Sequence, residues 1–201
     1  MAGETGSWNT HRPEASRRAD GGHLTKIRTM PIVPFDALPD SARIWVFASD
    51  RELSGALADT LLAAVDEFLA GWHAHGVPLH AARDWRHDRF LAIGVDVTAE
   101  NASGCSTDGL FRTLQQLQRQ IGAQLVGGGR VFYRGRNGVI EMTTRDDFSA
   151  RAKRHDIAPD TPVFDIGLTD AAAWRTRFEA PAGVSWTAGF FPSTGPSGYS
   201  S

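Results

Sequence analysis

Phe90-Leu91-Ala92-Ile93-Gly94-Val95 is an almost unbroken apolar run set between Arg89 and Asp96. A short run with no polar alternation marks a central strand covered on both faces. Upstream, Leu79 to Trp85 reads as a second strand, joined to Arg89–Val97 across the polar turn Arg86-His87-Asp88. Arg43-Ile44-Trp45-Val46-Phe47-Ala48 is a third, β-branched and aromatic, bounded by Pro39-Asp40 and Ser49-Asp50.

Helices fall between these strands. Ser49 and Glu52 have the spacing of a capping box and predict a helix start. Leu53, Leu57, Leu61, Ala64, Val65, Phe68 and Trp72 then recur at three- and four-residue steps, one apolar face of about five or six turns. His75-Gly76-Val77-Pro78 is expected to end it, with Gly76 as the C-terminal cap. Leu110, Leu114, Leu117 and Ile121 form the stripe of a second helix, with Gly122 near its end. Arg130–Arg134 and Val139–Thr143 flank Gly135-Arg136-Asn137-Gly138, and Asn-Gly between β-formers predicts a hairpin. Thr144 caps a helix reaching about His155, with Asp147 at the capping-box position. Val163–Ile166 is a further short strand and Asp170–Phe178 a short helix. Trp174, Phe178, Trp186, Phe190 and Phe191 are expected to fold this C-terminal arm back onto the core.

The order β-α-β-β-α-β-β-α predicts an α+β fold. Its first six elements suit a ferredoxin-like β-α-β-β-α-β core with both helices on one face of the sheet. A hairpin strand, a third helix and the aromatic arm are added to it. Residues 1–29, rich in Gly, Ser, Thr, Arg and His without apolar periodicity, read as a disordered extension. Residues 30–191 read as one domain and 192–201 as a Ser/Gly/Pro-rich tail.

Composition bounds the function. The 201 residues are 41% apolar with a formal net charge of −2. With a pI near 6.4 there is no global basic field, so nucleic acid is not an expected partner. No stretch approaches the roughly 20 apolar residues of a membrane span. Residues 1–29 lack the apolar region of a secretory signal despite Arg17-Arg18, so no membrane partner and no export are expected. One cysteine suits a reducing, cytoplasmic setting.

That cysteine, Cys105, lies in Asn101-Ala102-Ser103-Gly104-Cys105-Ser106-Thr107-Asp108, directly before the second helix. Unpaired N–H groups and the helix dipole stabilise a thiolate there. In a catalytic reading Cys105 is the nucleophile, His75 on the loop after the first helix its base, and Asp96 the orienter. The N–H groups of Ser106 and Thr107 stabilise the oxyanion. Ser103, Gly104, Ser106, Thr107 and Asp108, with Trp72 as an aromatic wall, would bind a small molecule. The plainer reading makes Cys105 a small buried hydrophobe and its neighbours helix caps and turn formers. His73, His75 and His80 cluster near Asp84, His87 and Asp88, but no H-E-x-x-H or C-x-x-C motif accompanies them, so neither metal nor other cofactor is expected. Arg130, Arg134, Arg136, Arg145, Arg151, Lys153 and Arg154 concentrate positive charge on the hairpin and third helix. They form either a solvated face or a contact surface for RNA or an acidic partner. Two functions therefore stand side by side. One is a small-molecule or thiol-dependent site at the Cys105 loop. The other is a non-enzymatic interaction module on the Arg-rich face. Oligomeric state is not readable from the sequence.

From about Met30 to Phe191 the chain resembles short bacterial proteins commonly labelled "ABC transporter ATPase". The resemblance rests on several runs: Pro34-Phe35-Asp36-Ala37-Leu38-Pro39 leading into Ala42-Arg43-Ile44-Trp45, then Trp72-His73-Ala74-His75-Gly76-Val77-Pro78-Leu79, then Asp88-Arg89-Phe90 and Asp96, then Ala102 to Asp108, and finally Ser185-Trp186 and Phe190-Phe191. Members of that group begin near Met30, which marks residues 1–29 as an extension or a misassigned start, and the resemblance implies no established activity. The label itself does not suit the residues. A phosphate-binding P-loop needs G-x-x-x-x-G-K-[ST] between strand and helix. Here Gly127-Gly128-Gly129-Arg130 leads into a strand, and Lys26 and Lys153, the only lysines, do not follow a glycine.

Overall fold

The computed structural model describes residues 33–74, 76–96 and 104–192, and for 104–106 the backbone alone. The expected extension over 1–29, the tail beyond Pro192, His75 and Ser103 lie outside the described residues. The strands are β1 (Arg43–Ser49), β2 (His73–Ala74), β3 (Val77–Pro78), β4 (Ala81–Arg86), β5 (Phe90–Val95), β6 (Leu125–Val126), β7 (Arg130–Arg134), β8 (Ile140–Thr144), β9 (Pro162–Phe164) and β10 (Glu179–Pro181). The helices are α1 (Ala56–Ala70), α2 (Gly104–Ile121), α3 (Arg145–Lys153) and α4 (Ala171–Arg177), with single 3-10 turns at Phe35–Ala37, Ala182–Val184 and Ala188–Phe190.

Among the described residues these strands form three antiparallel sheets, so the fold is α+β. The first sheet runs β4-β5-β1-β6, the second β10-β9-β7-β8, and β2 pairs with β3 alone. Alternation along each strand stacks the layers. Phe47 on β1 and Leu91, Ile93 and Val95 on β5 face α1 and α2, meeting Leu61, Val65, Leu110, Leu114, Leu117 and Ile121. Ile44, Val46, Ala48, Phe90 and Ala92 face the other way, onto Phe132, Phe164, Trp174 and Phe178. The far side of the second sheet presents Val131, Tyr133 and Val163 to Phe148 of α3, and Trp186, Phe190 and Phe191 pack there as the aromatic arm. The central strand is thus covered on both faces, as its run of apolar residues predicts. At Gly94 the cover is so close that a Cβ would stand 2.5 Å from the Leu38 side chain. Arg83 on β4 ties the sheet to α1 through a two-pronged bond to Asp66 at 2.6 and 2.7 Å.

Three sequence expectations are corrected. The Ser49/Glu52 pair does not open a helix. Ser49 is buried at the end of β1, Leu53 donates to the Asp88 carbonyl at 2.7 Å, and α1 begins after Gly55. Backbone bonds to the β4–β5 turn hold residues 49–53 where a local cap would have curled them. The helix also ends early: Gly71, not Gly76, is its C-cap, and Trp72 leaves the helix before the β2–β3 pair. Finally, Arg130–Arg134 does not supply the sixth element of the first sheet. Leu125–Val126 takes that edge, pairing with Ala48 and Ser49, while β7 belongs to the second sheet.

Candidate functional site

The β7–β8 hairpin builds an open cleft. Its tip closes through Gly135 and Gly138, Gly138 at a φ of 78° that suits glycine, and the Asn137 side-chain oxygen accepts from the Val139 N–H at 3.1 Å. Register across the hairpin sets Tyr133 directly opposite Glu141. The Tyr133 hydroxyl donates to the Glu141 carboxylate and accepts from the Arg151 guanidinium. That guanidinium also lies 5.3 Å over the Tyr133 ring. Arg151 is delivered by α3, whose start is fixed by Thr144 accepting from the Asp147 N–H at 3.2 Å. Gly135 leaves room for this set, since a Cβ there would lie 2.1 Å from a Glu141 carboxylate oxygen. Tyr133, Arg134, Arg136, Asn137, Glu141, Arg151, Asp156 and Thr161 line a cleft of about 540 Å³.

Burial, and next the bond to Glu141, push the Tyr133 hydroxyl up to about 12, against the opposing pull of Arg151. The phenol therefore stays a neutral donor at neutral pH. The unfolded chain ionises from about 10, so the stability this group contributes is complete below that value and lost as pH rises from 10 towards 12. In an alkaline titration of tyrosinate absorbance, one of the two tyrosines of the sequence should lag in the native protein, and Tyr133→Phe should remove the lagging step. Both tyrosines ionising together near 10 in the native chain would contradict the assignment.

The cleft's cations are not equivalent. Arg134 is held by Glu179 in a two-pronged bond at 2.6 and 3.2 Å, which raises its pKa further. Arg151 is shared with Tyr133, Glu141 and Asp147. Asp156, also in the lining, is taken by Arg154 from outside it at 3.0 Å. Arg136 is exposed, with no ion pair or hydrogen bond among the described residues.

Arg134 also borders a second cleft of about 300 Å³, with Glu52, His87, Asp88, Arg89, Val139 and Ile140. His87 and Asp88, at the β4–β5 turn, both hold left-handed φ values, 54° and 50°, a conformation rare for non-glycine residues. The His87 ring lies among Phe90, Phe164 and Phe178, with Nε2 3.4 Å from Glu179. Burial lowers its pKa from 6.5; Glu179 and Asp88 oppose this while Arg134 and Arg86 add to it. The unfolded chain therefore takes a proton that the folded chain resists. Stability should be full above about pH 6.5 and decline below it until the folded pKa is reached. Denaturant midpoints measured between pH 7.5 and about 5 check this. His87→Asn, which keeps a residue tolerant of this φ, should flatten that limb. An unchanged pH dependence in the variant would assign the slope elsewhere.

The residues singled out from the Cys105 stretch are mostly beyond description. α2 begins at Gly104, which puts Cys105 and Ser106 in its first turn, but their side chains, His75 and Ser103 lie outside the described residues. Thr107 is partly buried and Asp108 exposed on α2. Asp96 closes β5 with its carboxylate 4.0 Å from His80 Nδ1. Trp72 is 4% exposed, in the helix-side core beside Phe68 and Trp45. Among the described residues no group of three or more His, Cys, Asp or Glu side chains converges on a metal position.

Sequence reading did not single out Tyr133 or Glu141, and it named His87 only as a neighbour of the histidine cluster. The Tyr133–Glu141 pair was within reach, because an Asn-Gly hairpin fixes which residues face each other. No family model, curated protein or solved structure matches the chain.

Proposed function

We propose that this protein is a non-enzymatic interaction module that engages an acidic partner through the Arg-rich hairpin and α3. The observation that carries this reading is the hairpin cleft, where Arg136, without an ion pair or hydrogen bond among the described residues, shares the lining with Arg151 and a neutral, buried phenol. An unpaired, exposed guanidinium is a ready partner for carboxylate or phosphate. Hydrogen–deuterium exchange of the full chain with and without an oligoglutamate peptide tests it. Protection is expected at 130–157. Protection confined to 104–110 would move the function to the Cys105 helix start.

The finer description of the fold belongs to the same proposal. The first sheet with α1 and α2 is read as a ferredoxin-like unit, supported by its strand order, its antiparallel pairs and both helices packing on one face. A cytoplasmic setting is supported by the single cysteine. The likeness to the short bacterial group rests on the sequence runs alone.

A second reading, a small-molecule or thiol-dependent site with Cys105 as thiolate and His75 as base, is favoured by one observation. The helix begins at Gly104, so residue 105 sits where the dipole acts. The pH dependence of Cys105 alkylation by iodoacetamide, with His75→Ala alongside, tests it: an ordinary thiol pKa near 8.5, unmoved by the variant, removes it.

A further inference from the structure

Resting on the interaction-face reading, we infer that the hairpin cleft recognises one isolated oxyanion group, a carboxylate or a phosphate, rather than a continuous run of negative charge. Between residues 130 and 160 the seven cations Arg130, Arg134, Arg136, Arg145, Arg151, Lys153 and Arg154 meet five carboxylates, Glu141, Asp146, Asp147, Asp156 and Asp160. A surface so nearly balanced offers a polyanion few simultaneous contacts, so an acidic peptide is expected to engage it through one carboxylate at a time.

Of the three cations that line the cleft, Arg134 is committed to Glu179 and Arg151 is shared with Glu141, while Arg136 has no ion pair or hydrogen bond among the described residues. One uncompensated guanidinium suits one anionic group, and its planar fork matches both carboxylate and phosphate. A volume near 540 Å³ accepts more than a bare ion. The neutral Tyr133 adds polar lining without adding charge. An anion drawn to Arg151 competes directly with Glu141, so binding is expected to disturb the Tyr133 hydroxyl, which touches both.

That coupling supplies the test. The sequence holds two tyrosines, Tyr133 and Tyr199, so protein carrying ¹³C in its tyrosine rings gives two resonances, and Tyr133→Phe identifies the one from the cleft. Sodium phosphate, sodium acetate and an oligoglutamate peptide are titrated separately at constant ionic strength. The Tyr133 resonance is expected to move saturably with phosphate, acetate or both. Arg136→Gln, an exposed substitution, is expected to weaken the effect about tenfold. Movement with phosphate alone assigns the group to a phosphorylated ligand, and movement with acetate alone to a carboxylate. Linear drift without saturation, or the same affinity in Arg136→Gln, overturns the inference. Saturable movement with oligoglutamate alone overturns it and leaves the interaction-face reading standing. No movement with any of the three overturns both.

Discussion

Trp174→Ala is expected to destabilise the protein by about 3–5 kcal/mol, among the largest effects of any single truncation. Trp174 is fully buried in α4, its ring 4.0 Å from that of Phe178. Its indole N–H donates to Asp84 at 2.8 Å, and the same carboxylate oxygen accepts from Arg86 at 2.8 Å. Arg86 also lies 4.4 Å over the indole and donates to the Trp174 carbonyl at 3.1 Å. One side chain therefore pins α4 to the end of β4, and its loss opens a cavity that these neighbours cannot fill. Trp174→Phe separates the contributions. It keeps most of the apolar contact but leaves a partly buried Asp84 without one donor, a loss of about 1–2 kcal/mol. Urea unfolding with unchanged m-values measures both. A loss below 1 kcal/mol in the alanine variant, or equal losses in the two, would show that this contact does not anchor α4.

Phe90→Ala should cost a similar amount, about 3–5 kcal/mol, for a different reason. Phe90 opens β5 and is the point where the first sheet meets the second, its ring 5.4 Å from Phe132, 4.8 Å from Phe164 and 5.0 Å from Phe178. Those partners belong to β7, to β9 and to the residue after α4. Truncation therefore loosens the sheet that carries the hairpin. Because Phe90 and Trp174 both rest on Phe178, the double truncation should depart from the sum of the single losses by more than about 0.5 kcal/mol. Strict additivity would mean that the two sites relax independently.

The contrast between these two residues shows how far the sequence could be read. Phe90 sits in a run whose unbroken apolarity requires cover on both faces, and the structure provides it. The stripe Leu110, Leu114, Leu117 and Ile121 on α2, the Asn137-Gly138 turn and the Thr144 cap were equally legible, because each is fixed by neighbours within a few residues. The second sheet was legible only in part: its hairpin and the strand at Val163–Ile166 were read, but not β10 or the pairing that joins them. β10 is three residues long, too short for periodicity, and is set by pairing with β9, which in turn pairs with β7. The start of α1 failed for the same reason, in that the backbone bonds holding residues 49–53 come from the distant turn at 88–89. In the site, the Arg-rich hairpin was visible as composition. The pairing that leaves Arg136 alone depends on Glu179 and on Glu141, and only folding brings Glu179 to the hairpin.

Whether the hairpin or the Cys105 helix start is the working face is tested most directly by one paired measurement: the dissociation constant for oligoglutamate of the native chain, Arg136→Glu and Cys105→Ser. Reversing the charge at an exposed, unpaired position should weaken binding tenfold or more, while Cys105→Ser should bind as the native chain does. Native affinity in Arg136→Glu, or binding lost in Cys105→Ser, would contradict the assignment of function to the hairpin.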